Sequence, residues 1–77
     1  MNISQWTANR LLSLCEEKDI TLNKLATLSG ITQSTLNSIV KGESKNPSLA
    51  TIKKICIGLD ISIKDFFDKD FDELDID

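Results

Sequence analysis

Apolar residues recur along this chain at spacings of three and four, in short stretches separated by capping residues and glycines. That period, near 3.6 residues, predicts helices. Ser4 is read as the cap of a first helix running to about Lys18, with Ala8, Leu11, Leu12, Leu14 and Cys15 on its core side. Thr21 caps a second, shorter helix with Leu22, Leu25, Ala26 and Leu28 on its apolar side, and Ser29-Gly30-Ile31 ends it. Glycine suits that end because the left-handed closing conformation crowds a Cβ. Thr32 caps a third helix to about Lys41, with Leu36, Ile39 and Val40 inward and Gly42 closing it.

The polar loop Glu43-Ser44-Lys45-Asn46-Pro47 follows, and Pro47 bars helical continuation. Ser48 then caps a fourth helix through Leu49, Ile52, Ile55, Cys56 and Leu59. Gly58-Leu59-Asp60-Ile61 reads as a turn, and Ser62 caps a last short helix with Ile63, Phe66 and Phe67. No strand pattern or internal repeat stands out. The expected class is all-α, with a domain over residues 1–68 and a frayed acidic tail over 69–77 that carries Phe71, Leu74 and Ile76.

Within this order, Thr21 to Lys41 is the informative stretch. Two short helices flank a tight turn with one glycine, and small Ala26 sits where the helices must approach. This is the spacing of a helix-turn-helix, whose second helix leaves one face free. That face carries Gln33, Ser34, Asn37 and Ser38. A helix kept merely soluble more often displays Glu and Lys. Neutral hydrogen-bonders instead suit the donor and acceptor pattern on base edges.

The net charge of −3 runs against this reading at first sight. Its distribution removes the conflict. Residues 1–59 hold Arg10 and six lysines against Glu16, Glu17, Asp19 and Glu43, a net +3; residues 60–77 hold Lys64 and Lys69 against eight acids, a net −6. The body is mildly basic and the end acidic. Two cysteines, Cys15 and Cys56, and no histidine fall short of a four-ligand zinc site, and both thiols read as buried and reduced. No metal, cofactor or catalytic constellation is expected. No apolar run approaches the roughly 18 residues of a membrane span, and Met1 to Trp6 do not form a signal peptide, so a cytoplasmic protein is expected.

The stretch LATLSGITQSTLNSIVKGESKNPSLATIKKICIGLDISIKDFF resembles the phage-repressor and Cro-type (XRE, lambda-repressor-like) helix-turn-helix regulators, and the resemblance covers roughly residues 4–68. It implies a compact five-helix domain with the helix-turn-helix at helices two and three. It further implies transcriptional regulation, repression above all, through a double-stranded operator with an inverted repeat, bound by a homodimer. By the same resemblance, Gln33 reads a base, with Ser34, Asn37 and Ser38 at the other groove-facing positions. Thr32, Lys41, Lys45 and Asn46 touch phosphates, and Thr21 approaches one at the start of helix two.

Two positions depart from the family pattern. Leu22 replaces a glutamine that commonly braces the recognition glutamine, which implies looser readout by Gln33 or packing of Leu22 on a sugar or thymine methyl. Cys15 and Val40 replace a buried Arg–Glu pair, an exchange that apolar packing tolerates.

Three phenylalanines near the end exceed what a small core needs, and the family commonly dimerises there; an interface of Phe66, Phe67 and Phe71 is therefore expected. Trp6 is expected over one end of the core. The alternative function is a protein-interaction module such as an antitoxin, binding its partner through the tail. A restriction-modification controller would use the same DNA chemistry.

Overall fold

The computed structural model describes residues 2–42, 47–67 and 71–74. It contains α1 (Ile3–Lys18), α2 (Leu22–Ser29), α3 (Gln33–Val40), α4 (Leu49–Leu59), α5 (Ile63–Phe66) and a 3-10 turn over Phe71–Glu73, with no strand among the described residues. Four of the five helices start at the caps that the sequence predicts: Thr21, Thr32, Ser48 and Ser62 each accept the backbone N–H three residues on. This satisfies a donor that the helix itself leaves without a partner. At α1 the cap is Asn2, not Ser4; its Oδ1 accepts the Gln5 N–H at 2.9 Å, so the helix begins two residues earlier.

Three junctions repeat one local design. A left-handed residue is followed by isoleucine and then by the next helix's hydroxyl cap: Asp19-Ile20-Thr21, Gly30-Ile31-Thr32 and Asp60-Ile61-Ser62. In each, the isoleucine N–H donates back across the helix end, to Cys15, Ala26 or Cys56 O, at 3.0–3.1 Å. Each isoleucine is half-buried against the core, completing a Schellman closure with its hydrophobic contact. The junctions thus set helix direction with backbone bonds and one apolar plug.

Packing places α2 against α4, and α1 against α3 and α4. Leu11, Leu25, Leu36, Ile55, Cys56 and Phe66 are fully buried where these helices meet. Burying each large side chain stabilises by about 1.5–3 kcal/mol before chain entropy is counted. Three leucines expected inward are not: Leu12 is 43% exposed, Leu28 45% and Leu49 72%. Leu12 lies about 100° of helical turn from Leu11, and Leu28 falls on the side of Leu25 away from buried Ala26 and Ser29. Leu49, the first residue of α4, precedes the turn that α1 and α2 cover.

Gly58 is likewise inside α4, not in a turn; Asp60 makes the left-handed closure. The glycine is needed for close approach. A Cβ there would lie 3.1 Å from Ser29 N and 3.2 Å from Ser29 Cα, and nearer still to the Ser29 hydroxyl. α2 and α4 cross at this point with only a hydrogen between their backbones.

At the other end, Trp6 of α1 gathers the aromatic residues. Its ring stacks on Phe67 at 5.8 Å and meets Phe66 and Phe71 edge-on at 5.9 and 5.1 Å. Arg10 donates from Nε and Nη2 to the Phe66 and Asp65 carbonyls at 2.8 and 2.7 Å, which ties α1 to the C-terminus of α5. A cation there also opposes the negative end of the helix.

This arrangement corrects the expected interface. Phe66 is 0% exposed and belongs to the monomer's own core, so it has no surface to offer a partner. Phe67 and Phe71 are half-buried. Residues 71–74, expected to fray, instead form the 3-10 turn and pack Phe71 and Leu74 on the core, because Trp6 and Phe67 receive Phe71. The expected domain boundary at residues 68 and 69 falls outside the described residues.

Candidate nucleic-acid interface

Thr21 to Gly42 carries Lys24 and Lys41 and no acidic residue. Neither α2 nor α3 has an acid in its first turn, so the positive ends of both helix dipoles stay unneutralised. Thr21 Oγ1 accepts the Lys24 N–H at 3.1 Å. Thr32 Oγ1 accepts the Thr35 N–H at 3.2 Å, and its hydroxyl donates to Thr35 Oγ1 at 2.9 Å. Both caps are exposed and take up the third N–H of each helix, leaving those of the first two residues without an intrahelical acceptor.

The angle between α2 and α3 is set at Gly30, whose φ of +68° is the left-handed conformation. Nothing lies within 4 Å of where its Cβ would be, so glycine is required here for backbone freedom and not for space. Ala26 is buried where the two helices approach, and Ile31 plugs the turn.

Leu36 and Ile39 anchor α3 from one side. A helix held along that line turns Ser34 and Lys41 away from the body and leaves Gln33, Asn37 and Ser38 toward its flanks. Gln33, Ser34 and Lys41 are exposed and Asn37 and Ser38 half-buried; none of the four groove-facing candidates is packed inside. Lys41 ends α3, its N–H bonded to Asn37 O at 3.0 Å. Thr21 and Thr32 stand at the starts of the two helices. Lys45 and Asn46 lie outside the described residues.

Leu22 is half-buried against the core, as is Val40, and Cys15 is buried. Burial pushes both thiols, Cys15 and Cys56, above their ordinary pKa, while Lys53 draws Cys56 partly back. They are protonated hydrophobes at neutral pH.

Lys24 adds a cation to the first turn of α2, and one feature of this surface escaped the sequence reading. Asn23, Ala26 and Thr27, spaced as neighbours on one helix face, join Ile31 and Gln33 in lining an open depression of about 410 Å³. The spacing of 23, 26 and 27 was the available signal for that shared face.

Residues 10–72 match the Cro/C1-type HTH (helix-turn-helix) DNA-binding domain. Over 55 residues the chain is 33% identical to YopS, an uncharacterized prophage-derived HTH-type transcriptional regulator of Bacillus subtilis; the match takes in 71% of this chain and 74% of that protein. It is 40% identical over 52 residues to RghR, an HTH-type transcriptional repressor of the same organism, across 68% of this chain but only 38% of the repressor. The crystal structure of prophage Lp1 protein 11 superposes with a TM-score of 0.80 at 40% identity, covering 90% of this chain and 92% of that one. These structural likenesses agree with an all-α, lambda-repressor-like fold.

Proposed function

Because the chain belongs to the Cro/C1-type helix-turn-helix DNA-binding family and is a DNA-binding transcriptional regulator, we propose that it lays α3 in the major groove of a short inverted-repeat operator, as a homodimer, and represses transcription. One observation carries the reading. α3 is anchored by buried Leu36 and Ile39, while Gln33 and Ser34 are exposed and Asn37 and Ser38 half-buried along it.

In this reading the Gln33 carboxamide bonds a base edge with both its ends, adenine N6 and N7 being the matching pair. Ser34, Asn37 and Ser38 test neighbouring positions. Thr21, Thr32 and Lys41, with Lys45 and Asn46 from the loop, fix the phosphates and hence the register. A second copy docks at the aromatic end, where Leu49, Phe67 and Phe71 border a depression of about 200 Å³ with Ile3, Thr7, Pro47 and Ile52. Two-fold symmetry then sets half-sites about 34 Å apart. No catalytic step or cofactor enters, and the work is done in the cytoplasm, where the operator is. No helix among the described residues is long and apolar enough to cross a membrane.

The test is selection of bound duplexes from a random pool at near-physiological salt. An inverted repeat should emerge. Gln33→Ala should then relax one position per half-site by about 1–3 kcal/mol, and Lys41→Ala should lower the salt dependence by about one phosphate contact. A protein indifferent to every duplex overturns the proposal. Sedimentation of Leu49→Lys tests the dimer: a fall in association is expected, and unchanged association removes this interface.

A further inference from the structure

We infer that the outer faces of α1 and α4 are the two halves of a head-to-tail contact between copies of this chain, with Leu12 of one copy on Ile57 of the next and Glu16 against Lys53. Among the described residues the exposed large apolar side chains are Leu12, Leu28, Leu49 and Ile57. Leu49 belongs to the aromatic end. Leu12 and Ile57 each stand among charges of a single sign, and the two signs are opposite.

On α1, Asn9, Leu12, Ser13, Glu16 and Glu17 line an open depression of about 450 Å³. Both carboxylates are exposed and lie in the last helical turn, where the negative end of the helix disfavours them. Local stability therefore gives no reason for their position. On α4, Ile52, Ile55, Cys56 and Leu59 face the core, so helical geometry turns Ile57 outward between Lys53 and Lys54. All three are exposed, Ile57 by 64%. An apolar residue with acids on one face thus complements an apolar residue with bases on the other.

The spacings match as well. Glu16 follows Leu12 by four residues and Lys53 precedes Ile57 by four, so each charge stands about 6 Å along its helix from the apolar residue. Laid antiparallel with Leu12 on Ile57, the helices bring Glu16 opposite Lys53. The same register sets Asn9, not a carboxylate, opposite Asp60, so no like charges meet.

Within one chain these faces turn outward from a common core and cannot touch. Between copies the contact is heterologous: two different patches join, and a further copy can add at either end. Ile57 lies eight residues, about 12 Å, along α4 from Leu49, which keeps this contact apart from the aromatic end. It also leaves α3 uncovered. Two helix faces bury little area, which places the contact in the small, transient class.

The test is sedimentation of the full chain over a rising concentration series at low salt. Mass should continue to rise beyond the dimer, and added salt should reverse the rise. Glu16→Lys and Lys53→Glu should each weaken this association by about threefold or more. Combined in one chain they should restore it, since residue 16 of each copy meets residue 53 of the next. Both sites are exposed, so neither reversal should lower the melting temperature.

Mass that stops at a dimer overturns the inference, and so do reversals that weaken association without restoring it together. Lys24 and Leu28 on α2 repeat the spacing of Lys53 and Ile57, with one lysine in place of two. Rescue of Glu16→Lys by Lys24→Glu and not by Lys53→Glu overturns it too, as does a rise in mass that responds to Leu49→Lys and to neither reversal. None of these outcomes bears on the reading of DNA by α3, which uses other residues.

Discussion

The α2–α3 unit and the aromatic end use opposite means. In the first, short-range bonds set the backbone: Thr21 and Thr32 each cap a helix across three residues, and Gly30 turns between them. Aliphatic residues alone, Leu25, Leu36 and Ile39, anchor it, and no aromatic ring is spent there. At the aromatic end, Trp6, Phe66, Phe67 and Phe71 close on one another, and Arg10 reaches 55 and 56 residues along the chain to hold α5. A rigid ridge for contact and a cement for the bundle thus place opposite demands on sequence. Mutations should separate them, with stability lost at one end and recognition at the other.

The sharpest test is Phe66→Ala. With the ring fully buried, removal should cost about 3–5 kcal/mol, read as a shift in the urea midpoint. A loss below about 1 kcal/mol would mean that the aromatic end is dispensable. Arg10→Met should cost about 1.5–3 kcal/mol by the same measurement, since it removes two charge-assisted bonds.

Gly30→Ala should cost about 1–2 kcal/mol from its left-handed backbone alone. Equal stability would show that α2 and α3 can meet at another angle. A smaller effect is expected at alkaline pH. Because burial raises both thiol pKa values, the folded state holds those protons more tightly than the unfolded chain. That contribution is present in full below the unfolded thiol pKa and is lost as pH rises through the folded one. Cys15→Ala and Cys56→Ala together should flatten the alkaline decline in melting temperature. Smallest of all, Ser34→Ala with Asn37→Ala should move stability by no more than about 0.5 kcal/mol while DNA affinity falls. A large stability loss would erase the contrast.

The parts readable in advance were those governed by neighbours in sequence. Thr21, Thr32, Ser48 and Ser62 announce helix starts because hydroxyl caps act over three residues, and Gly30 announces a turn because few other residues accept its φ. Asp19 and Asp60 adopt the same left-handed conformation without that signature, which is why the turn was expected to open at Gly58. Its real reason, the Ser29 backbone across from it, lies on another helix. Adjacent Phe66 and Phe67 look alike in sequence, yet only the fold decides that one is sealed and the other stacks on Trp6 half-exposed. The four groove-facing candidates were legible because a polar, uncharged helix face is unusual. The depression shared by Asn23 and Gln33 was not, since it depends on where α3 starts in space.

The acid-free run from Thr21 to Gly42 belongs to a molecule whose total charge is negative. On that run a polyanion meets two lysines and no carboxylate, so local charge favours its approach to α2 and α3 although the chain as a whole is negative.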